Sequence, residues 1–124
     1  MSTALLTIFI DSAKSLPQAR ASTKPDPYAV LKVGNTTQET NVLMRTIHPV
    51  WEQGFTFLVA NPESDTLYLT IIDKKTTNDL GQITFNISKL SKKTRMEIHK
   101  EPFSLLKSGP ESKIIWSMHL RVKR

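Results

Sequence analysis

Ile114-Ile115-Trp116-Ser117-Met118-His119-Leu120-Arg121-Val122 is the stretch on which the fold turns. Ile114, Trp116, Met118, Leu120 and Val122 occupy every second position, and Ser117, His119 and Arg121 alternate with them. An extended chain sends successive side chains to opposite faces, so this period of two predicts a half-buried β-strand. Working back towards the N-terminus, the same period recurs. Leu6, Ile8 and Ile10 share one face while Thr7, Phe9 and Asp11 share the other. Tyr28 to Val33 is a second strand closed by the turn signal Gly34-Asn35, and Gln38 to Leu43 is a weaker third. Trp51 to Val59 aligns Phe55, Phe57 and Val59; Thr66 to Ile72 aligns Leu67, Leu69 and Ile71. Ile83, Phe85 and Ile87 mark a sixth strand and Pro102 to Leu106 a seventh. Between them lie segments rich in Pro, Asn, Gly and Asp: Leu16 to Pro27, Thr46 to Pro49, Ala60 to Asp65, Asp73 to Asp79 and Ser108 to Ser112. Only Ile87 to Ile98 has room for a short helix. The expectation is an all-β, eight-stranded antiparallel β-sandwich in a single domain over residues 1–124.

Composition agrees with one folded unit. The chain has 124 residues, 39% apolar and 23% charged, a balance able to bury a core. No apolar run approaches the ~20 residues that cross a bilayer. Met1 to Ile10 lacks the basic leader and small-residue cleavage site of a signal peptide, and the strand-like start and finish look like those of a domain cut from a longer protein. There is no cysteine, which excludes disulfides and cysteine-ligated zinc. The sequons at Asn35 and Asn86 are common triplets and are read as unused. The 17 Lys and Arg outnumber 11 Asp and Glu, for a formal charge of +6. That field favours anionic partners, or else is simply a solvated basic surface.

Catalytic chemistry has no visible carrier. His48, His99 and His119 are far apart and none stands at a metal-ligand spacing. No glycine-rich phosphate loop occurs among four glycines. The basic residues are not interleaved with exposed aromatics, as a nucleic-acid stacking platform requires. The reading is a non-enzymatic module with no cofactor, no small-molecule substrate and no nucleic-acid partner.

Three linked motifs point to a family. Leu16-Pro17, then Lys24-Pro25-Asp26-Pro27-Tyr28, then His48-Pro49-Val50-Trp51-Glu52 with Phe55-Thr56-Phe57, are spaced as in the C2 family of lipid-binding sandwiches. Asp26-Pro27-Tyr28 resembles the family's Ser-Asp-Pro-Tyr, and His48-Pro49-Val50-Trp51 its Asn-Pro-x-Trp. Ile72-Asp73 and Leu80-Gly81 complete the pattern. Each piece also has a plain role, since Pro25, Pro27 and Pro49 set backbone angles and Trp51, Phe55 and Phe57 suit a core. The strand order resembles the second, circularly shifted topology of the family. More narrowly, the chain is similar to the second C2 domain of extended synaptotagmins. Ala4-Leu5-Leu6 to Asp11-Ser12-Ala13, Gln38-Glu39-Thr40, Phe103-Ser104-Leu105, and Ser108-Gly109-Pro110 to Leu120-Arg121-Val122 carry that likeness. The resemblance implies a part in a larger anchored protein that tethers endoplasmic reticulum to plasma membrane and moves lipid between them. The module would lie on the cytosolic face of those contact sites.

Calcium-binding members of the family gather acidic residues from two loops. Calcium takes about six to eight oxygen ligands, several of them carboxylate. Carried over by resemblance, the five positions fall on Arg20, Asp26, Asp73, Lys75 and either Asn78 or Asp79. With Asn78 the set holds two positive and two negative charges. A divalent cation would meet cations where it needs anions, at several kcal/mol per pair (roughly 4 at ~4 Å with an effective dielectric near ~20). The expectation is a degenerate site without calcium. Asp26 and Asp73 are expected to pair with Arg20, Lys24, Lys74 or Lys75. Those four cations are expected to touch anionic phospholipid membrane weakly and permanently. The loops are read as lacking large apolar tips. The stretch Asn35 to Thr40 carries no lysine, so a phosphoinositide site there is not expected. A secondary basic run, Lys89, Lys92, Lys93, Arg95 and Lys100, is either a lipid patch or a solvated connector. The alternative partner is a neighbouring C2 domain in the same parent chain.

Overall fold

The computed structural model describes residues 3–18 and 23–122. Eight strands appear among them: β1 (Ala4–Lys14), β2 (Pro27–Val33), β3 (Thr36–Glu39), β4 (Val50–Val59), β5 (Thr66–Asp73), β6 (Asp79–Asn86), β7 (Glu97–Ser104) and β8 (Lys113–Val122). One helical turn, α1 (Ser88–Ser91), and a 3-10 turn at Thr94–Met96 lie between β6 and β7. The strands form two four-stranded sheets, ordered β4-β1-β8-β7 and β3-β2-β5-β6, with every pairing antiparallel.

β1 runs beside β8 from Ala4↔Val122 to Lys14↔Lys113, so first and last strands are neighbours, as the shifted topology requires. Asp11 is an extra residue in this ladder, because Ile10 faces Trp116 and Ser12 already faces Ile115. Such a bulge re-aims the residues beyond it, and here it turns Ala13 into the core after Ile10. The inward residues are those the alternation marks: Leu6, Ile8 and Ile10 from β1, Leu67, Leu69 and Ile71 from β5, Ile114, Trp116 and Met118 from β8. Trp116 meets Phe103 and Phe85 edge-on at 5.3 and 6.2 Å between ring centroids, a geometry aromatic quadrupoles favour.

Two strands depart from the sequence reading. β3 occupies Thr36–Glu39, not Gln38 to Leu43. The two-residue turn Gly34-Asn35, with Gly34 at φ 59°, sets Thr36 opposite Val33. At the other end Thr40 turns inward and closes the ladder, its hydroxyl accepting the Ala29 N–H at 2.9 Å. β7 begins at Glu97, ahead of the expected Pro102. It is an edge strand exposing most of its side chains, so alternation does not betray it. Pro102 is tolerated at a sheet edge, where one side of the strand has no ladder.

Antiparallel order gathers the β1–β2, β3–β4, β5–β6 and β7–β8 connections at one end of the sandwich. The β2–β3, β4–β5 and β6–β7 connections lie at the other.

Candidate functional site

At the first end, prolines and backbone bonds lock the loops together. The Leu16 N–H donates to Ile47 O at 3.0 Å and the Thr46 N–H to Pro25 O at 2.9 Å. His48, the first residue of the His-Pro-Val-Trp motif, accepts the Ser15 N–H on its Nδ1 at 3.0 Å. Ser15 sits at φ 57°, a conformation that non-glycine residues rarely hold without such support. Local sequence offers no sign of this contact, because the donor is a main-chain group.

Asp26 and Asp73 are brought together here, at the paired ends of β2 and β5, and both are buried. Their partners differ from the lysines expected. Asp73 Oδ1 accepts the N–H of Asp26 at 3.0 Å and of Lys75 at 3.1 Å, and its Oδ2 accepts the Thr76 hydroxyl at 2.9 Å. Asp26 Oδ1 accepts the Arg45 N–H at 2.8 Å. Among the described residues neither carboxylate forms an ion pair. The reason is distance from the chain: main-chain donors of a tight loop are already in place, whereas a lysine must order a long stem to reach in. Burial pushes the Asp73 carboxyl up, but these hydrogen bonds and the Lys75 charge outweigh it and hold the group below its ordinary value.

The lysines go elsewhere. Lys75 Nζ donates to the Lys24 carbonyl at 3.4 Å, spanning the β5–β6 and β1–β2 connections. Lys74 Nζ lies 5.6 Å from the centroid of the Tyr28 ring, a cation–π contact. Lys24, Lys74 and Lys75 are all exposed. Arg20 lies outside the described residues. Asn78 is exposed and gives its carbonyl to the Asp73 N–H at 2.9 Å. Asp79 opens β6, where it accepts the Gly81 N–H at 2.9 Å and the Gln82 amide.

Two residues that sequence reasoning passed over join this end. Arg45 brings another exposed cation beside Asp26, and Met44 next to it is 69% exposed. Met44 corrects the expectation that the loops carry no large apolar tip. Neither belongs to a motif, and main-chain bonds such as Thr46–Pro25, Leu43–Pro27 and Arg45–Asp26 place them here.

The secondary basic run is divided. Lys89, Lys92, Lys93 and Arg95 lie in or beside the helical turns at the opposite end. Lys100 belongs to β7, where its N–H donates to the Ser117 hydroxyl at 2.9 Å.

Calcium needs a ring of free oxygens, and the described residues at this end do not supply one. Asp26 and Asp73 offer two carboxylates already engaged by main-chain donors, an ammonium crosses the loop mouth, and Asp79 is turned to its own strand. Among the described residues no group of three His, Cys, Asp or Glu converges. These residues do not fit a calcium cage.

The C2 domain family model matches residues 4–101. Extended synaptotagmin-2 of Homo sapiens is 35% identical over 123 residues, a match covering 98% of this chain and 13% of that protein. The chain therefore spans a small part of the relative's length. A solved structure of extended synaptotagmin 2, holding its SMP domain and a pair of C2 domains, superimposes with a TM-score of 0.93 at 35% identity, covering 98% of this chain and 28% of that one. The same pair of C2 domains in a calcium-bound structure superimposes with a TM-score of 0.91 at 34% identity, covering 98% and 44%.

Proposed function

The chain belongs to the C2 domain family, and from that premise we propose that it is a calcium-independent C2 module contacting anionic phospholipid membrane weakly through its basic loops. Its setting is a larger, anchored, extended synaptotagmin-like protein that tethers membranes and transfers lipid, at the cytosolic face of endoplasmic reticulum–plasma membrane contacts. The likeness to extended synaptotagmin C2 domains supports that setting. The module itself catalyses nothing.

The observation that carries the reading is Lys75 Nζ on the Lys24 carbonyl, with the Asp26 and Asp73 carboxylates already held by N–H donors. The Lys75 ammonium adds positive charge across the β5–β6 and β1–β2 connections, which supports a reading without a recruited cation. Lys24, Lys74, Lys75 and Arg45 present a permanently basic end, and Arg20 adds a further positive charge to the same stretch of sequence. Each such residue near an anionic surface contributes about 1 kcal/mol, screened within a Debye length of ~8 Å at physiological salt. Met44 adds one apolar side chain at that surface.

Co-sedimentation with acidic vesicles, in excess calcium and in chelator, at low and physiological salt, tests this. Equal binding with and without calcium, falling as salt rises, is expected. Binding that needs calcium overturns it.

A second reading is a spacer that packs against a neighbouring C2 domain. The outer face of the β4-β1-β8-β7 sheet favours it, since Leu58 is 66% and Phe9 36% exposed there. Absence of vesicle binding in every condition would move the assignment to that face.

A further inference from the structure

Thr77 lies in the β5–β6 connection, where residues 74–79 are all exposed between buried Asp73 and Leu80. Lys74 and Lys75 precede it by three and two positions. The Thr77 N–H donates to Asp73 O at 2.7 Å and closes residues 73–77 into one turn. Its φ is 62°, a conformation that a β-branched residue holds only under constraint. The two threonine hydroxyls of the turn differ in use. Thr76 Oγ1 donates to Asp73 Oδ2 at 2.9 Å and accepts the Asn78 N–H at 3.2 Å, so it is committed to the turn. Thr77 Oγ1 donates to the adjoining Thr76 carbonyl, and among the described residues its oxygen accepts nothing.

That hydroxyl stands on the basic end. Lys75 Nζ reaches the Lys24 carbonyl, the Lys74 N–H donates to Asp26 O at 2.9 Å, and the Arg45 N–H donates to Asp26 Oδ1. These bonds gather the exposed residues Lys24, Arg45, Lys74 and Lys75 on the end that carries Thr77. The two acids of the connection, Asp73 and Asp79, are engaged by N–H donors of their own.

We propose that Thr77 is a phosphorylation site for a basophilic protein kinase, and that its phosphate releases this end from anionic membrane. The inference rests on the membrane contact and cytosolic setting proposed above. In the reaction the γ-phosphoryl group of a nucleoside triphosphate passes to Thr77 Oγ1. The Oγ1–P bond forms, the bond from that phosphorus to the β-phosphate oxygen breaks, nucleoside diphosphate leaves and the hydroxyl proton is released. A cleft that selects basic residues ahead of the acceptor is itself acidic, and Lys74 and Lys75 supply the complementary charge. To enter it the turn must straighten. The Thr77 and Asn78 N–H bonds given up lie within residues 73–78, so a local opening suffices, and it relieves the strain at Thr77. Phosphothreonine carries roughly −1.5 to −2 charge at pH 7, which offsets up to about half of the charge on the four gathered cations. Its oxygens also compete with lipid phosphate for the neighbouring ammonium groups. A loop seated on a membrane is covered, so the kinase acts on the free module.

The test treats the whole chain with a basophilic kinase catalytic domain and magnesium ATP, and maps the phosphate by mass spectrometry. The product is then sedimented with phosphatidylcholine–phosphatidylserine vesicles in chelator at low salt. Phosphate is expected on Thr77. The phosphorylated chain is expected to bind about tenfold to thirtyfold more weakly, from the loss of roughly 1.5 to 2 charges at about 1 kcal/mol each. Phosphatase treatment should restore binding, and the unfolding midpoint should match the parent's, which separates loss of charge from loss of structure. Should phosphate lower the midpoint, sedimentation well below it gives the same comparison. Thr77→Asn, whose side chain suits the left-handed backbone, should bind vesicles as the parent does, with or without kinase. Acidic vesicles added before the kinase should slow phosphorylation severalfold. No phosphate on Thr77, or a Thr77→Asn chain whose binding the kinase still weakens, overturns the proposal. Vesicle binding that phosphate on Thr77 leaves unchanged sinks the switch alone. An unmodified chain that binds no vesicle sinks the membrane reading, and the switch falls with it.

Discussion

The main-chain N–H of Asp26 donates to the carboxylate of Asp73 at 3.0 Å, joining two loops 47 positions apart. Here Asp73 serves as an internal acceptor that ties the β5–β6 connection to the start of β2. Those main-chain bonds explain how an acidic pair persists beneath a basic surface, and they lead to the first expectation.

Asp73→Ala removes the acceptor of the Asp26 and Lys75 N–H groups and of the Thr76 hydroxyl. Stranding buried donors is costlier than losing a bond outright, so about 2–3 kcal/mol of stability should be lost in urea unfolding. Asp73→Asn, which keeps a carbonyl oxygen, should lose less.

The same carboxylate sets an acid dependence. Its folded-state pKa lies below the ordinary value, so the unfolded chain takes up the proton first as pH falls. The stability it confers is complete above the unfolded pKa, about 3.9, and drains away as pH falls through the lower folded one. Unfolding free energy measured down an acid series should therefore fall less steeply in Asp73→Asn than in the parent.

Charge reversal of Arg20, Lys24, Lys74 and Lys75 to Glu should abolish vesicle binding. At about 1 kcal/mol each, removing the four positive charges alone weakens binding by nearly a thousandfold, before any repulsion. Packing against a neighbouring C2 domain should be unchanged. Binding retained at the parent level would place the contact elsewhere.

His48→Ala deprives the Ser15 N–H of its acceptor. The site is exposed and water can substitute, so the loss should be modest, about 0.5–1.5 kcal/mol. Faster hydrogen exchange at Ser15 and Leu16, with the core amides unaffected, is the expected signature.

Gly81→Ala would set a Cβ at 3.2 Å from Leu105 Cβ and 3.3 Å from Ser108 Cβ. Neither neighbour can yield without moving the β7–β8 connection, which Ser108 ties back through its hydroxyl on Leu80 O at 2.8 Å. Overpacking of this kind costs about 1–3 kcal/mol, measurable as a lowered unfolding midpoint.

The sandwich was legible because its signal is local. Leu6, Ile8 and Ile10, or Ile114, Trp116 and Met118, declare a buried face through neighbours two positions away, and that period survives without any knowledge of partners. The family motifs are local too, being prolines and aromatics at set spacings. β7 escaped because an edge strand with Glu97, His99, Lys100 and Glu101 outward has little to alternate. β3 was misplaced because a turn and an inward Thr40 set its ends, and neither is a matter of hydrophobic pattern.

Residue order was enough to establish a β-sandwich of the C2 family and its net charge. It took the folded chain to reveal what Asp26 and Asp73 bond to, that Met44 and Arg45 stand beside them, and that Lys75 reaches across to the Lys24 carbonyl. The physical reason is common to all three. Those relationships depend on main-chain amides, which every residue but proline carries, or on side chains remote in sequence. Neither leaves a mark on local composition or periodicity.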